Sequence, residues 1–96
     1  MLRVPSGVQE VGKCNHRTAL TVTSTAVEIT LTDGYNSIEI IPEVDETVEV
    51  YFGGIGVTAN NGVPLLSGKT WNNCKKGFSV YLVCASTAKV RICEYD

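Results

Sequence analysis

The chain has 96 residues, enough for one domain with a thin core and too few for two. Hydrophobic residues make up 44%, which excludes a disordered polar tract, and a formal net charge of −2 argues against a surface built to neutralise many phosphates. Nucleic acid is therefore not an expected partner. A membrane is not expected either, because no window approaches the ~20 apolar residues of a spanning helix.

Residues 1–17 hold two glycines and a proline without sustained alternation. They read as an extended arm, Leu2, Val4, Val8 and Val11 included, that lies on a neighbouring subunit and orders on assembly. A frayed terminus is the plainer alternative. Nothing in Met1–Gly7 forms the apolar run of a secretory signal, so the chain is expected to be made and folded in a cytoplasm with its four cysteines reduced.

From Thr18 onward the chain reads as a single β domain over residues 18–96. Thr18–Thr23 and Val27–Thr32 alternate polar and apolar residues, with Val27, Ile29 and Leu31 on one face and Glu28 and Thr30 on the other. Asp33-Gly34-Tyr35-Asn36 is a turn, since Asp and Asn tolerate left-handed conformations and Gly adopts them at no steric cost. Ser37–Ile41 is a strand stopped by Pro42, Glu43–Glu46 an acidic turn, and Thr47–Phe52 a strand with Val48, Val50 and Phe52 inward. Ile55–Thr58 reads as a short strand, Asn60-Asn61-Gly62 as a turn and Pro64–Gly68 as a loop. Lys69–Trp71 is a short strand, Asn72–Gly77 a turn, and Phe78–Cys84 and Ala88–Glu94 are the closing strands, joined by Ala85-Ser86-Thr87. No segment has a 3.6-residue repeat. About eight short antiparallel strands predict an all-β sandwich, jelly-roll-like in its winding.

Charge is unevenly spread along the chain. Between Thr18 and Gly68 lie seven acids, Glu28, Asp33, Glu39, Glu43, Asp45, Glu46 and Glu49, and no Lys or Arg. Such asymmetry either steers copies of the chain together head to tail or is an uneven solvated surface.

The candidate chemistry is sparse. Gly53-Gly54-Ile55-Gly56 lacks the Lys-Ser/Thr or Gly-x-Gly-x-x-Gly frame of a phosphate loop and is not followed by a helix. It reads instead as a sharp reversal where another backbone approaches closely. Cys14, Cys74, Cys84 and Cys93 contain no Cys-x-x-Cys pair. A zinc site from Cys14, His16 and two later cysteines is the metal alternative, whereas Cys84 and Cys93 fit buried inert thiols better. No metal or other cofactor is expected. His16 beside Cys14 lacks the surroundings of a cysteine hydrolase, and the acids at 43–49 lack a calcium-loop frame. Trp71 with Tyr35, Tyr51, Tyr81 and Tyr95 could form a sugar platform, although packing is the commoner use of such side chains. No enzymatic activity is expected.

The segments Tyr51-Phe52-Gly53-Gly54-Ile55-Gly56-Val57-Thr58, Asn61-Gly62-Val63-Pro64-Leu65 and the ending Tyr81–Ile92 carry a resemblance. Small bacteriophage virion proteins have a similar Tyr-x-Gly-Gly-x-Gly-Val-Thr followed by Asn-Gly-x-Pro-Leu-x-x-Gly and by two closing strands that end in Val-Arg-Val. The chain resembles that group over residues 18–94 and departs from it at Trp71–Lys76, where such proteins often alternate apolar and acidic residues. The resemblance implies a non-enzymatic virion component, a capsid decoration or cement protein or a head–tail accessory. It would be assembled in the bacterial host cytoplasm and would act by self-association and by docking on major capsid, portal or tail proteins. The candidate interaction residues are Val4, Val8, Tyr51, Gly53, Gly54, Gly56, Asn61, Pro64, Leu65 and Trp71. A small carbohydrate-binding sandwich using Trp71 is the rival reading.

Overall fold

Alternation of buried and exposed side chains, the pattern that a half-buried strand imposes, governs the longest strand of the computed structural model, which describes residues 12–96. Val4 and Val8 lie outside the described residues. Nine strands are present: β1 (Cys14–His16), β2 (Leu20–Thr23), β3 (Val27–Thr30), β4 (Ser37–Pro42), β5 (Val50–Gly53), β6 (Val63–Pro64), β7 (Lys69–Trp71), β8 (Ser79–Cys84) and β9 (Thr87–Tyr95). All pairings are antiparallel.

One sheet runs β1-β9-β4-β7 with β2 also on β9, and the other runs β3-β8-β5-β6. β4 occupies one side of β9 from Val90 to Tyr95, which leaves the opposite side to β1 and β2. From His16 to Leu20 that edge advances four positions while β9 advances three, from Cys93 to Val90. The Arg17 N–H still donates to the Ile92 carbonyl at 2.9 Å. β1 and β2 are therefore one strand interrupted by a bulge. Counted so, the sandwich has eight strands in two four-stranded sheets, and its winding is that of a jelly roll. Of the arm expected over residues 1–17, Cys14–His16 is instead part of the sheet, and residues 1–11 lie outside the described residues.

The core lies between the sheets, where Val22, Ile38, Ile40, Val50, Leu82 and Val90 are fully enclosed. Each such aliphatic side chain contributes about 1.5–3 kcal/mol relative to exposure. Val27, Val48 and Phe52 pack against this cluster, as their alternation predicts.

Three expected elements differ. Ile55–Thr58 is not a strand: Gly56 has φ +88°, the Val57 N–H closes a turn on the Gly54 carbonyl, and Thr58 and Asn61 tie the next turn. The strand in this region is β6, at Val63–Pro64, on a sheet edge where a residue lacking N–H is tolerated. Thr47–Glu49 precedes β5 outside the sheet, because the Glu46 carboxylate accepts the N–H groups of Thr47 and Val48 at 3.1 and 3.2 Å.

Candidate functional site

The winding sorts the loops into two ends. Loops 43–49 and 65–68 meet at one of them. There the Leu65 N–H donates to Val50 O at 2.8 Å, and the Glu43 and Lys89 backbones join at 2.9 Å. Loops 31–36 and 72–78 meet at the other, with residues 12–13 and 95–96. Here Cys74 N–H donates to Asn36 O at 2.7 Å, and Lys13 lies on Asp96 and over the Tyr35 ring.

At the first end a groove of about 670 Å³ is lined by Ile41, Pro42, Glu43, Val44, Leu66 and Arg91. Val44 is 92% exposed, Leu66 69% and Ile41 39%. Leu66 has φ +58°, a conformation that costs a non-glycine residue about 1–3 kcal/mol and persists only where the surroundings fix it. Leu65, buried at 2%, anchors the loop from below, and the Leu66 N–H lies 3.3 Å from Glu49 Oε2. Gly68, at φ +130°, sits so close to Ile41 that a Cβ would come within 3.1 Å of it. On the rim, Arg91 Nε donates to Glu43 Oε1 at 2.8 Å, a bond that raises the Arg91 pKa. Glu46 accepts the Lys89 N–H at 2.6 Å; this and the Val48 and Thr47 amides hold its carboxyl below the ordinary range.

At the second end the glycine-rich loop folds onto the sandwich. A Cβ on Gly53 would lie 2.7 Å from Val57 Cγ2, and one on Gly62 would lie 2.7 Å from Tyr51 Cβ and 3.0 Å from the Thr58 carbonyl. These two glycines are required by the packing of Val57 and Tyr51. Gly56 serves its positive φ, and Gly54 has nothing within 4 Å. Asn61 Oδ1 accepts the Thr58 N–H at 2.7 Å, which closes the loop. Ile55 projects from it, 87% exposed.

The candidate residues therefore separate. Tyr51, Gly53 and Pro64 share one face of the β5–β6 hairpin, and Asn61 lies in the loop between its strands. Leu65 belongs to the core and not to a surface. Trp71 is half-buried between the sheets, edge-on to Phe52 at 5.2 Å and 6.0 Å from Phe78, with Lys69 Nζ 5.5 Å over its ring. Val44, Ile55 and Leu66 were not among the candidates. Val44 and Leu66 carried a signal, a lone apolar residue in an acidic turn and the second leucine of a doublet in a loop.

The nucleophilic and titratable residues also separate. Cys14 and His16 share the outward face of β1, where His16 stands opposite Cys93 and Cys14 opposite Tyr95. Cys84 is buried, as expected, with its Sγ 3.3 Å from Val22 O; Cys93 is only half-buried, on the outer face of its sheet. Burial pushes the Cys74 thiol pKa up. All four thiols are free, and among the described residues no group of three or more His, Cys, Asp or Glu is placed to hold a metal ion. The Tyr95 hydroxyl donates to Glu39 Oε1 at 3.2 Å; its bond with Cys93, burial and the Glu39 charge push the phenol up.

One acid is fully enclosed. Glu94 Oε2 accepts the Thr32 N–H at 2.7 Å, Oε1 accepts Thr32 Oγ1 and Asn15 Nδ2 at 2.9 Å each, and Arg17 Nη1 lies 3.6 Å away. Burial pushes this carboxyl up, but the three hydrogen bonds and the Arg17 charge outweigh it and leave the pKa lowered. The cluster joins β1, the bulge and the loop after β3 to β9, which gives it a structural role. No helix among the described residues is long and apolar enough to cross a membrane. No protein-family model, no curated protein and no solved structure matches the chain.

Proposed function

We propose that this chain is a non-enzymatic structural subunit of a bacteriophage virion, a capsid decoration protein or a head–tail accessory. On this reading it associates with copies of itself and docks on other virion proteins. The observation that carries the proposal is the exposure of Val44, Ile55 and Leu66, at 92%, 87% and 69%, on loops that hydrogen bonds and close packing hold in place. Apolar side chains fixed outward are suited to a partner surface, and a small domain with a thin core gains stability from one. The glycine and Asn-Gly-x-Pro-Leu segments add the resemblance to small virion proteins. The jelly roll is used in capsids and in lectins alike, so it does not choose between those roles. Carbohydrate binding is the weaker alternative, because the Trp71 ring is taken up by Phe52, Phe78 and Lys69.

Pelleting of purified protein with phage heads and tails tests the proposal. Saturable binding to one class of particle, lost in the triple variant Val44→Glu, Ile55→Glu, Leu66→Glu, is the expected result. A chain that stays monomeric at high concentration and binds no virion part would remove the idea.

A further inference from the structure

The groove between loops 43–49 and 65–68 is preformed, apolar on its floor and acidic at its rim. Leu65, Gly68 and the hydrogen bonds of Glu46 and Glu49 fix the shape of its walls. Ile41, Pro42, Val44 and Leu66 line it with carbon. Of the four acids beside it, Glu43 is paired with Arg91 and Glu46 with backbone amides. Asp45 and Glu49 are exposed and have no salt-bridge partner among the described residues. An occupant that fits is a short extended strand with apolar side chains and a cationic one between them.

The chain contains such a segment, Leu2-Arg3-Val4, in the eleven residues before Gly12. In an extended conformation Leu2 and Val4 share one face and Arg3 takes the other. From Gly12 the chain continues at the end remote from the groove, where the Lys13 N–H donates to Asp96 Oδ1 at 2.8 Å. The nine residues of β9 span about 30 Å between the two ends at ~3.3 Å per residue. Val4 lies eight residues before Gly12 and reaches at most about 26–29 Å from it, so a chain falls short of laying Leu2–Val4 along its own groove even when pulled straight. A second copy whose groove abuts this end is reached without that constraint.

Resting on the self-association reading above, we infer that the groove receives the Leu2–Val4 segment of a second copy, with Arg3 against Asp45 and Glu49. The contact joins two different surfaces, so it builds rings or open strings of subunits and not closed two-fold pairs.

The test uses the full chain. A photo-cross-linking residue replaces Val4, and isotopically heavy and light copies are mixed, so that links between copies are distinguished by mass from links within one. Mixed-isotope links from position 4 to the Val44 or Leu66 peptides are the expected result. Sedimentation should show Arg3→Glu weakening association about tenfold or more, with recovery when Asp45→Lys and Glu49→Lys are added. Arg3 precedes the sandwich, which keeps the test valid even where Leu66→Glu disturbs its loop. Links confined to one copy, links to other surfaces, or no effect of Arg3→Glu would each overturn the inference. If association persists through other faces, only this contact fails. If no association or virion binding occurs at all, the functional reading fails with it.

Discussion

Glu94 is a carboxylate at 0% exposure, and its three hydrogen-bond donors with Arg17 are what make that burial tolerable. Replacing it with Gln turns one acceptor into a donor facing donors, so Glu94→Gln should lose about 1–3 kcal/mol in chemical denaturation. Because the folded carboxyl titrates below the ordinary value of about 4.3, its contribution is present above that pH and disappears as pH falls further. The melting temperature of the native chain should therefore fall between pH 5 and pH 3 more steeply than that of Glu94→Gln; parallel curves would remove Glu94 as the cause. The glycines of the 53–62 loop give a second contrast. Gly62→Ala should cost about 1–3 kcal/mol, since its Cβ meets Tyr51 Cβ and the Thr58 carbonyl too closely. Gly54→Ala, with open space around it, should be neutral or stabilise by up to about 1 kcal/mol through the unfolded chain. Equal effects in thermal unfolding would mean that the loop does not pack as described.

The bulged edge of β1 and β2 depends on one extra residue between His16 and Leu20. Deleting Thr18 removes it and leaves three steps on each strand between His16–Cys93 and Leu20–Val90, so both registers are kept and the edge becomes one regular strand. Asn15 then stays opposite Glu94, on the same inner face. The variant should therefore keep the Asn15–Glu94 hydrogen bond, so that adding Asn15→Ala costs as much stability in it as in the native chain; a much smaller cost would contradict the register. The strands most legible in the sequence were those with one buried face, at 27–31, 37–41 and 88–94, because burial imposes the two-residue period directly. Position 94 was legible too, since it shares parity with Ala88, Val90 and Ile92, but a glutamate there reads as exposed until its partners from distant segments are known. By the same parity Cys93 belongs with Lys89 and Arg91 outside, where it is half-buried. The glycine loop was misread in part because Ile-Gly-Val-Thr has the composition of a strand, while its conformation is set by Gly56 and by packing on Gly53 and Gly62. The boundary drawn at residue 17 fell on the bulge, where alternation breaks although pairing continues.

Folding also redistributes the charge that the sequence keeps apart. The acid-only stretch from Thr18 to Gly68 meets its cations across the sandwich: Arg91 holds Glu43, and the Lys89 amide and charge act on Glu46. Lys13 and Asp96 pair at the other end. Exposed pairs of this type add little stability, and Asp45 and Glu49 at one end and Lys75 and Lys76 at the other stand outside any ion pair among the described residues. On the proposed reading, contact between copies rests on the exposed apolar residues, with Arg3, Asp45 and Glu49 supplying orientation. Sedimentation equilibrium of the full chain from about 1 µM to about 1 mM tests this most directly. Mass should rise with concentration, by an association weakened about tenfold or more in Val44→Glu, Leu66→Glu and only partly weakened by 0.5 M salt, which screens Arg3 but not the apolar contact. A monomer throughout, or association that the double variant leaves intact, would contradict it.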